Sequence, residues 1–238
     1  MADERRIILA LDVGSNPRAL KLAELLRDEI AFFKVGLQAF TACGPDLVGD
    51  LLRVGVRVFL DLKLHDIPNT AAHAAGEAVR LGCSMMTLHT LGGLRMLRAA
   101  RERVDEIAGK LGQTPPKLLG VTILTSMDQD ELARVGVSGA PDNLVENLAR
   151  LAVEAGLDGV VTSPRELGLL QQKPLNGLLR VTPGVRPSMA SHDDQRRTMT
   201  PAEALRAGAS YLVIGRPITA HADPLEAART INRELGAC

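Results

Sequence analysis

The sequence predicts an α/β protein, a (β/α)8 TIM barrel built as a single domain over residues 1–238. Three features carry this reading. Short β-branched or aliphatic runs alternate with amphipathic segments from end to end, and eight such runs are the number the barrel requires. The length of 238 residues is close to the ~250 typical of that fold. The competing architecture, an open doubly wound sheet, usually carries a Gly-rich turn after its first strand. Here that place reads Leu11-Asp12-Val13-Gly14-Ser15-Asn16-Pro17, and neither Gly-x-Gly-x-x-Gly nor a Walker loop occurs.

The first strand is placed at 7–13, an aliphatic run from Ile7 to Leu11 followed by Asp12. A helix follows over 17–28, with Pro17 at a first helical position and Asn16 as its cap. Further strands are placed at 31–37, 57–63, 84–91, 117–124, 159–163, 179–185 and 211–218. Near the C-terminus, Ala227, Ile231 and Leu235 recur at four-residue intervals and make one apolar helix stripe. Residues 186–197 form the one long polar connection, read as a mobile loop.

Composition narrows the function. A single domain of this size buries roughly three-quarters of its unfolded surface, so it needs neither disulfide nor metal for stability. Lys plus Arg and Asp plus Glu are both 28, so no global field favours nucleic acid or an anionic membrane. Aromatics are 2%, with no Trp, which argues against base-stacking platforms. Cys43, Cys83 and Cys238 form no zinc spacing and read as free thiols of a cytoplasmic protein. The apolar run after Arg6 is too short for a signal peptide, and no run approaches the ~18 residues of a membrane span.

The most informative segment runs from Phe59 to Thr70. Side chains alternate along a strand, so Val58, Leu60 and Leu62 share one face while Phe59, Asp61 and Lys63 share the other, pointing into the barrel. The C-terminal strand ends of a barrel form its active-site face. Asp61 and Lys63 fall there, and Asp66 follows in the loop. On these residues alone, a structural salt bridge at the rim accounts for them equally well. Asp12 at the end of the first strand, Lys34 in the second and His89 near the end of the fourth extend the set to a ring of polar groups, which packing explains less easily. Lys63 between Asp61 and Asp66 is suited to donating a proton. Attack on a carbonyl would need the neutral amine. Lys34 is placed to pair with Asp61 or Asp12.

A second constellation combines Arg186, Gln195, Gly215 and Arg216. Barrels commonly hold phosphate at the loops after strands seven and eight. Gly215 permits close approach of backbone to an anion, and Arg216 offers a planar fork for phosphate oxygens. Arg186 and Gln195 would close over it. The plain alternative is a turn glycine and a solvated arginine.

The segment Asp61-Leu62-Lys63-Leu64-His65-Asp66-Ile67-Pro68-Asn69-Thr70 closely resembles the signature of the orotidine 5′-phosphate decarboxylase family. Leu11-Asp12, Phe33-Lys34-Val35-Gly36, Leu124-Thr125-Ser126-Met127, Thr182-Pro183-Gly184-Val185-Arg186-Pro187, Asp194-Gln195-Arg196-Arg197 and Val213-Ile214-Gly215-Arg216-Pro217-Ile218 resemble it as well, in the same order. One stretch departs: Thr87-Leu88-His89-Thr90-Leu91-Gly92-Gly93 stands where the family usually has His-Ala-Ser-Gly-Gly. The resemblance implies conversion of orotidine 5′-monophosphate to uridine 5′-monophosphate and CO₂, by a homodimer without metal or organic cofactor. It implies Lys63 as proton donor to C6 and Asp61 facing the substrate carboxylate. Asp12 and Lys34 would serve the ribose hydroxyls and the charge network. Asp66 and Thr70 would reach the neighbouring subunit's substrate, and Thr125 and Ser126 the pyrimidine. Arg186, Gln195, Gly215 and Arg216 would hold the phosphate.

Three other readings compete. A Mg²⁺-dependent sugar-phosphate lyase or decarboxylase of the same superfamily shares the Asp-x-Lys-x-x-Asp core but usually needs a Glu near the end of the second strand, where this chain has Lys34. A non-catalytic nucleotide-binding barrel and a scaffold protein both leave the inward charges unexplained.

Overall fold

The computed structural model describes residues 5–137, 139–172, 175, 177–186 and 199–236. Eight parallel strands close into a barrel in sequence order: β1 (Ile7–Ala10), β2 (Phe32–Gly36), β3 (Val58–Leu64), β4 (Met85–His89), β5 (Lys117–Val121), β6 (Gly159–Val161), β7 (Leu179–Pro183) and β8 (Tyr211–Ile214). β8 pairs back onto β1 through Ile7 with Leu212 and Leu9 with Ile214, which leaves no open sheet edge.

Two apolar layers follow from the strand alternation. On β3, Val58 and Leu60 point outward and pack with the helices, joined by the half-buried Leu62 and Leu64. Phe59 points inward and packs with Ile8, Phe32, Met85, Leu119 and Val181 in the barrel interior. The N-terminal mouth is closed by Phe32, which meets Tyr211 edge-on with centroids 5.4 Å apart and carries the Arg57 guanidinium 4.3 Å above its ring. Above this floor the next inward positions of β2, β3 and β4 hold the buried polar side chains Lys34, Asp61 and Thr87, while Ala10, Val121, Val161, Pro183 and Val213 keep the other strands apolar.

All eight predicted strands are present, and the main differences lie at their C-terminal ends. The eighth strand, expected to reach 218, stops at Ile214, and Arg216–Thr219 turns into a short helix. Pro217 has no N–H to give to a ladder and a φ suited to a first helical turn, so it ends the sheet. The first helix spans Asn16–Leu26, and its N-cap is Ser15 rather than the expected Asn16. The Asn16 amide instead donates to the Asp50 carboxylate. The C-terminal stripe is as expected: Ala227, Ile231 and Leu235 are buried along the helix Pro224–Gly236. Of the loop expected at 186–197, only Arg186 lies within the described residues.

Candidate active site

The inward polar positions converge at the C-terminal mouth. They line a cavity of about 480 Å³ whose charged residues are Asp12, Lys34, Asp61, Lys63, Arg186 and Arg216. That volume lies in the range of small-molecule sites. The Lys34 ammonium sits 3.4 Å from Asp12 Oδ1 and 3.5 Å from Asp61 Oδ2. The Lys63 ammonium sits 3.0 Å from Asp61 Oδ1. Two cations and two anions therefore alternate along three neighbouring strands. Lys34 and Asp61 are each only 8% exposed, a degree of burial that charge tolerates only when paired. Lys63 is the more open of the two lysines, with 30% of its side chain exposed to the cavity mouth.

Backbone geometry sharpens the site. Lys63 has φ +52°, the one positive φ at a non-glycine among the described residues. Such a conformation costs roughly 1–2 kcal/mol and persists where the surroundings enforce it. It falls within an irregularity of the β3–β4 ladder: Leu60 pairs with Met86 and Leu64 with Leu88, so Asp61, Leu62 and Lys63 face Thr87 alone. Thr87 is 1% exposed. Its Oγ1 accepts the Lys63 backbone N–H at 2.9 Å and its hydroxyl donates to Asp61 Oδ1 at 3.0 Å. A cradle also exists at Gly36, where an added Cβ would stand 2.8 Å from Lys34 Nζ.

Of the residues singled out from sequence, Asp12, Lys34, Asp61, Lys63, Thr125, Arg186, Gly215 and Arg216 line this one cavity. Gln195 lies outside the described residues. Asp66 and Thr70 are exposed and do not line it. After Leu64 the chain turns away into the helix Pro68–Arg80, and the Asp66 carboxylate accepts the Ile67 N–H at 2.7 Å. Lys63 is thus not between two carboxylates within one chain; that position belongs to Lys34. Ser126 is exposed and outside the lining, because the chain turns there and Met127 N–H returns to the Leu124 carbonyl at 2.9 Å. His89 leaves the expected ring and stacks on His65 with centroids 5.3 Å apart. Desolvation, then the charges of His65 and Lys63, hold its pKa below the ordinary value. Thr87 and Gly36 were not singled out from sequence. Their signals were present: Thr87 is a hydroxyl at an inward position of β4, and Gly36 follows Lys34 by two residues, on the same face.

Among the described residues no group of three or more His, Cys, Asp or Glu converges as a metal site, and no helix is long and apolar enough to cross a membrane.

A sequence model of the orotidine 5′-phosphate decarboxylase / HUMPS family matches residues 5–231. The chain belongs to that family. A protein of Syntrophotalea carbinolica named orotidine 5′-phosphate decarboxylase is 51% identical over 98% of this chain and 96% of its own length. One of Moorella thermoacetica with the same name is 51% identical over 97% of this chain and 92% of its own. The crystal structure of orotidine 5′-phosphate decarboxylase from Lactobacillus acidophilus superposes with a TM-score of 0.85 at 37% identity, covering 98% of this chain and 99% of that one. In the stretch Thr87–Gly93, singled out from sequence as a departure, the end of the fourth strand is packed locally. Thr90 is fully buried and donates to the Val121 carbonyl at 2.5 Å. Its methyl group packs over Gly120, where an added Cβ would lie 2.5 Å from Thr90 Cγ2.

Proposed function

We propose that the chain decarboxylates orotidine 5′-monophosphate to uridine 5′-monophosphate and CO₂, without metal or organic cofactor, with Lys63 protonating C6. The observation that carries this reading is the Lys63 ammonium, 3.0 Å from Asp61 at the mouth of a cavity that also holds Arg186, Gly215 and Arg216. Strands three and seven stand opposite each other in a closed ring of eight. A phosphate held by the loops after β7 and β8 therefore places the rest of a nucleotide across the barrel mouth, towards β3.

The chemistry follows from the charges. Loss of CO₂ leaves a carbanion at C6, and catalysis requires that this charge be stabilised more than the bound carboxylate. An ammonium fixed beside C6 does so electrostatically and then delivers its proton. Asp61 beside the substrate carboxylate repels it, and the repulsion falls as CO₂ departs. Lys34, buried between Asp12 and Asp61, pairs with both carboxylates and fixes their places. The same arrangement disfavours the Mg²⁺-dependent alternative, because an ammonium already occupies the space between the carboxylates a metal would need. Thr125 faces the pyrimidine, and Asp12 and Lys34 the ribose. Arg186, Gly215 and Arg216 hold the phosphate, whose binding energy is spent on positioning C6.

The working unit in this proposal is a homodimer in which Asp66 and Thr70 reach the partner's site and supply Lys63 with its second acid. Exposed apolar side chains at the C-terminal ends of four consecutive strands support this: Leu37 after β2, Ile67 after β3, Leu91 after β4 and Leu124 after β5. Leu37 and Ile67 are 59% and 67% exposed, and Ile67 adjoins Asp66.

The direct test is the ultraviolet absorbance of orotidine 5′-monophosphate mixed with the protein, with and without EDTA. Conversion to uridine 5′-monophosphate at the same rate in both is expected. No absorbance change would remove the activity, and loss of activity with chelator would favour the metal-dependent reading.

A further inference from the structure

We infer that Thr87 is a positioning residue for the decarboxylation, setting the direction of the Lys63 ammonium through both its backbone and its carboxylate partner. The inference rests on the function proposed above and names a residue that function does not use.

Three hydrogen bonds and the Lys63 side chain itself close a ring. The Lys63 N–H donates to Thr87 Oγ1 at 2.9 Å, and the Thr87 hydroxyl donates to Asp61 Oδ1 at 3.0 Å. The Lys63 ammonium donates to the same Asp61 oxygen at 3.0 Å, and the Lys63 side chain completes the circuit. A hydroxyl is the smallest group able to accept from one of these partners while donating to the other. An aliphatic side chain of the same shape does neither.

The ladder explains why a side chain does this work. In a regular ladder successive residues bond to opposite neighbours: the Arg57 carbonyl accepts from Phe33 on β2 and the Val58 carbonyl from Ser84 beside β4, so a regular β3 would turn the Lys63 N–H towards the β2 side. Here the register slips between Leu60 and Leu64, and the N–H meets the side chain of the single residue opposite the irregularity. Lys63 is held there at φ +52°. Irregularities of this kind re-aim a side chain next to active sites. Without the Thr87 hydroxyl, the Lys63 N–H loses the acceptor that holds the backbone in its left-handed conformation, and Asp61 loses the neighbour that orients its Oδ1. Both changes displace the ammonium laterally while the cavity walls and the Arg186, Gly215 and Arg216 group remain.

Misplacing a catalytic group by about 1 Å costs on the order of 10²-fold in rate. Thr87→Val is therefore expected to lower kcat by about 10- to 10²-fold and to change KM for orotidine 5′-monophosphate by less than about threefold, since phosphate binding is untouched. Thr87→Ser, which keeps the hydroxyl, is expected to stay within about threefold of wild type. Thr87→Ala carries the same expectation as valine and serves where valine does not fold. A crystal structure of Thr87→Val or Thr87→Ala reads the cause directly: Lys63 is expected to leave positive φ and its ammonium to leave the contact with Asp61. Unchanged kcat in the valine and alanine variants, a serine variant as impaired as valine, or Lys63 in its original place would each overturn the inference. Failure of the wild-type protein to consume the substrate would instead remove the proposed function, and the crystallographic comparison would still decide the role of Thr87.

Discussion

Gly36 shows how much of the site depends on single atoms. Its backbone is extended, so glycine is not required there for conformation. What it supplies is space, because a Cβ would press to within 2.8 Å of the Lys34 ammonium and 3.5 Å of Asp12 Oδ1. Lys34 is buried and pinned between two acids, so it has little room to yield. Gly36→Ala is expected to remain folded, with a stability change within the 1–3 kcal/mol or so typical of overpacking. Its kcat/KM for orotidine 5′-monophosphate is expected to fall about tenfold or more as Lys34 shifts. Thermal melts beside steady-state kinetics check this, and unchanged kcat/KM would show that Lys34 has slack. At this scale the sequence exposed the charged groups and concealed what holds them. Asp61 and Lys63 are legible because two charges on an inward strand phase are costly. Thr87 is ordinary in a strand and becomes informative only once the ladder shows which residue faces the Lys63 N–H.

Among the elements, β3 and β4 carry the site, and their C-terminal ends are where sequence reasoning was least accurate. Apolar runs persist beyond the last ladder bond, so the predicted strands overran: 84–91 against Met85–His89, and 211–218 against Tyr211–Ile214. Periodicity reports which face a residue takes, and pairing decides where the strand stops. The register slip in β3 has no sequence signature, since Leu60, Leu62 and Leu64 keep their alternation through it. The end of β4 gives a pH dependence. Burial, then the charges of His65 and Lys63, depress the His89 pKa below its ordinary 6.5 in the folded protein. The unfolded chain therefore binds this proton more readily. The stability tied to neutral His89 is complete above about pH 6.5 and is lost as pH falls towards the lower folded value. Urea midpoints measured from pH 7.5 to 5 are expected to decline less steeply for His89→Asn than for wild type. Parallel declines would show that His89 does not contribute to the acid sensitivity.

On the scale of the whole molecule, an apolar floor of Phe32, Phe59 and Tyr211 below and a charged mouth above divide the barrel into a part that folds it and a part that acts. The fold was legible because eight runs and the length leave few alternatives. The proposed sharing of the site between subunits comes from resemblance: in one chain Asp66 and Thr70 are exposed and do not line the cavity, and apolar side chains stand exposed after β2 to β5. If the dimer joins those surfaces by twofold symmetry, each site takes Lys63 from one subunit and Asp66 from the other. The decisive measurement is the turnover of orotidine 5′-monophosphate by Lys63→Ala, alone and after re-equilibration with an equal amount of Asp66→Ala. Alone, Lys63→Ala is expected to be folded and to lose at least ~10³-fold, and the mixture to regain roughly a quarter of wild-type activity through heterodimers with one intact site. No recovery on mixing would separate Asp66 from the partner's site and leave Lys63 in its role. Near-wild-type turnover by Lys63→Ala alone would contradict the account at its centre.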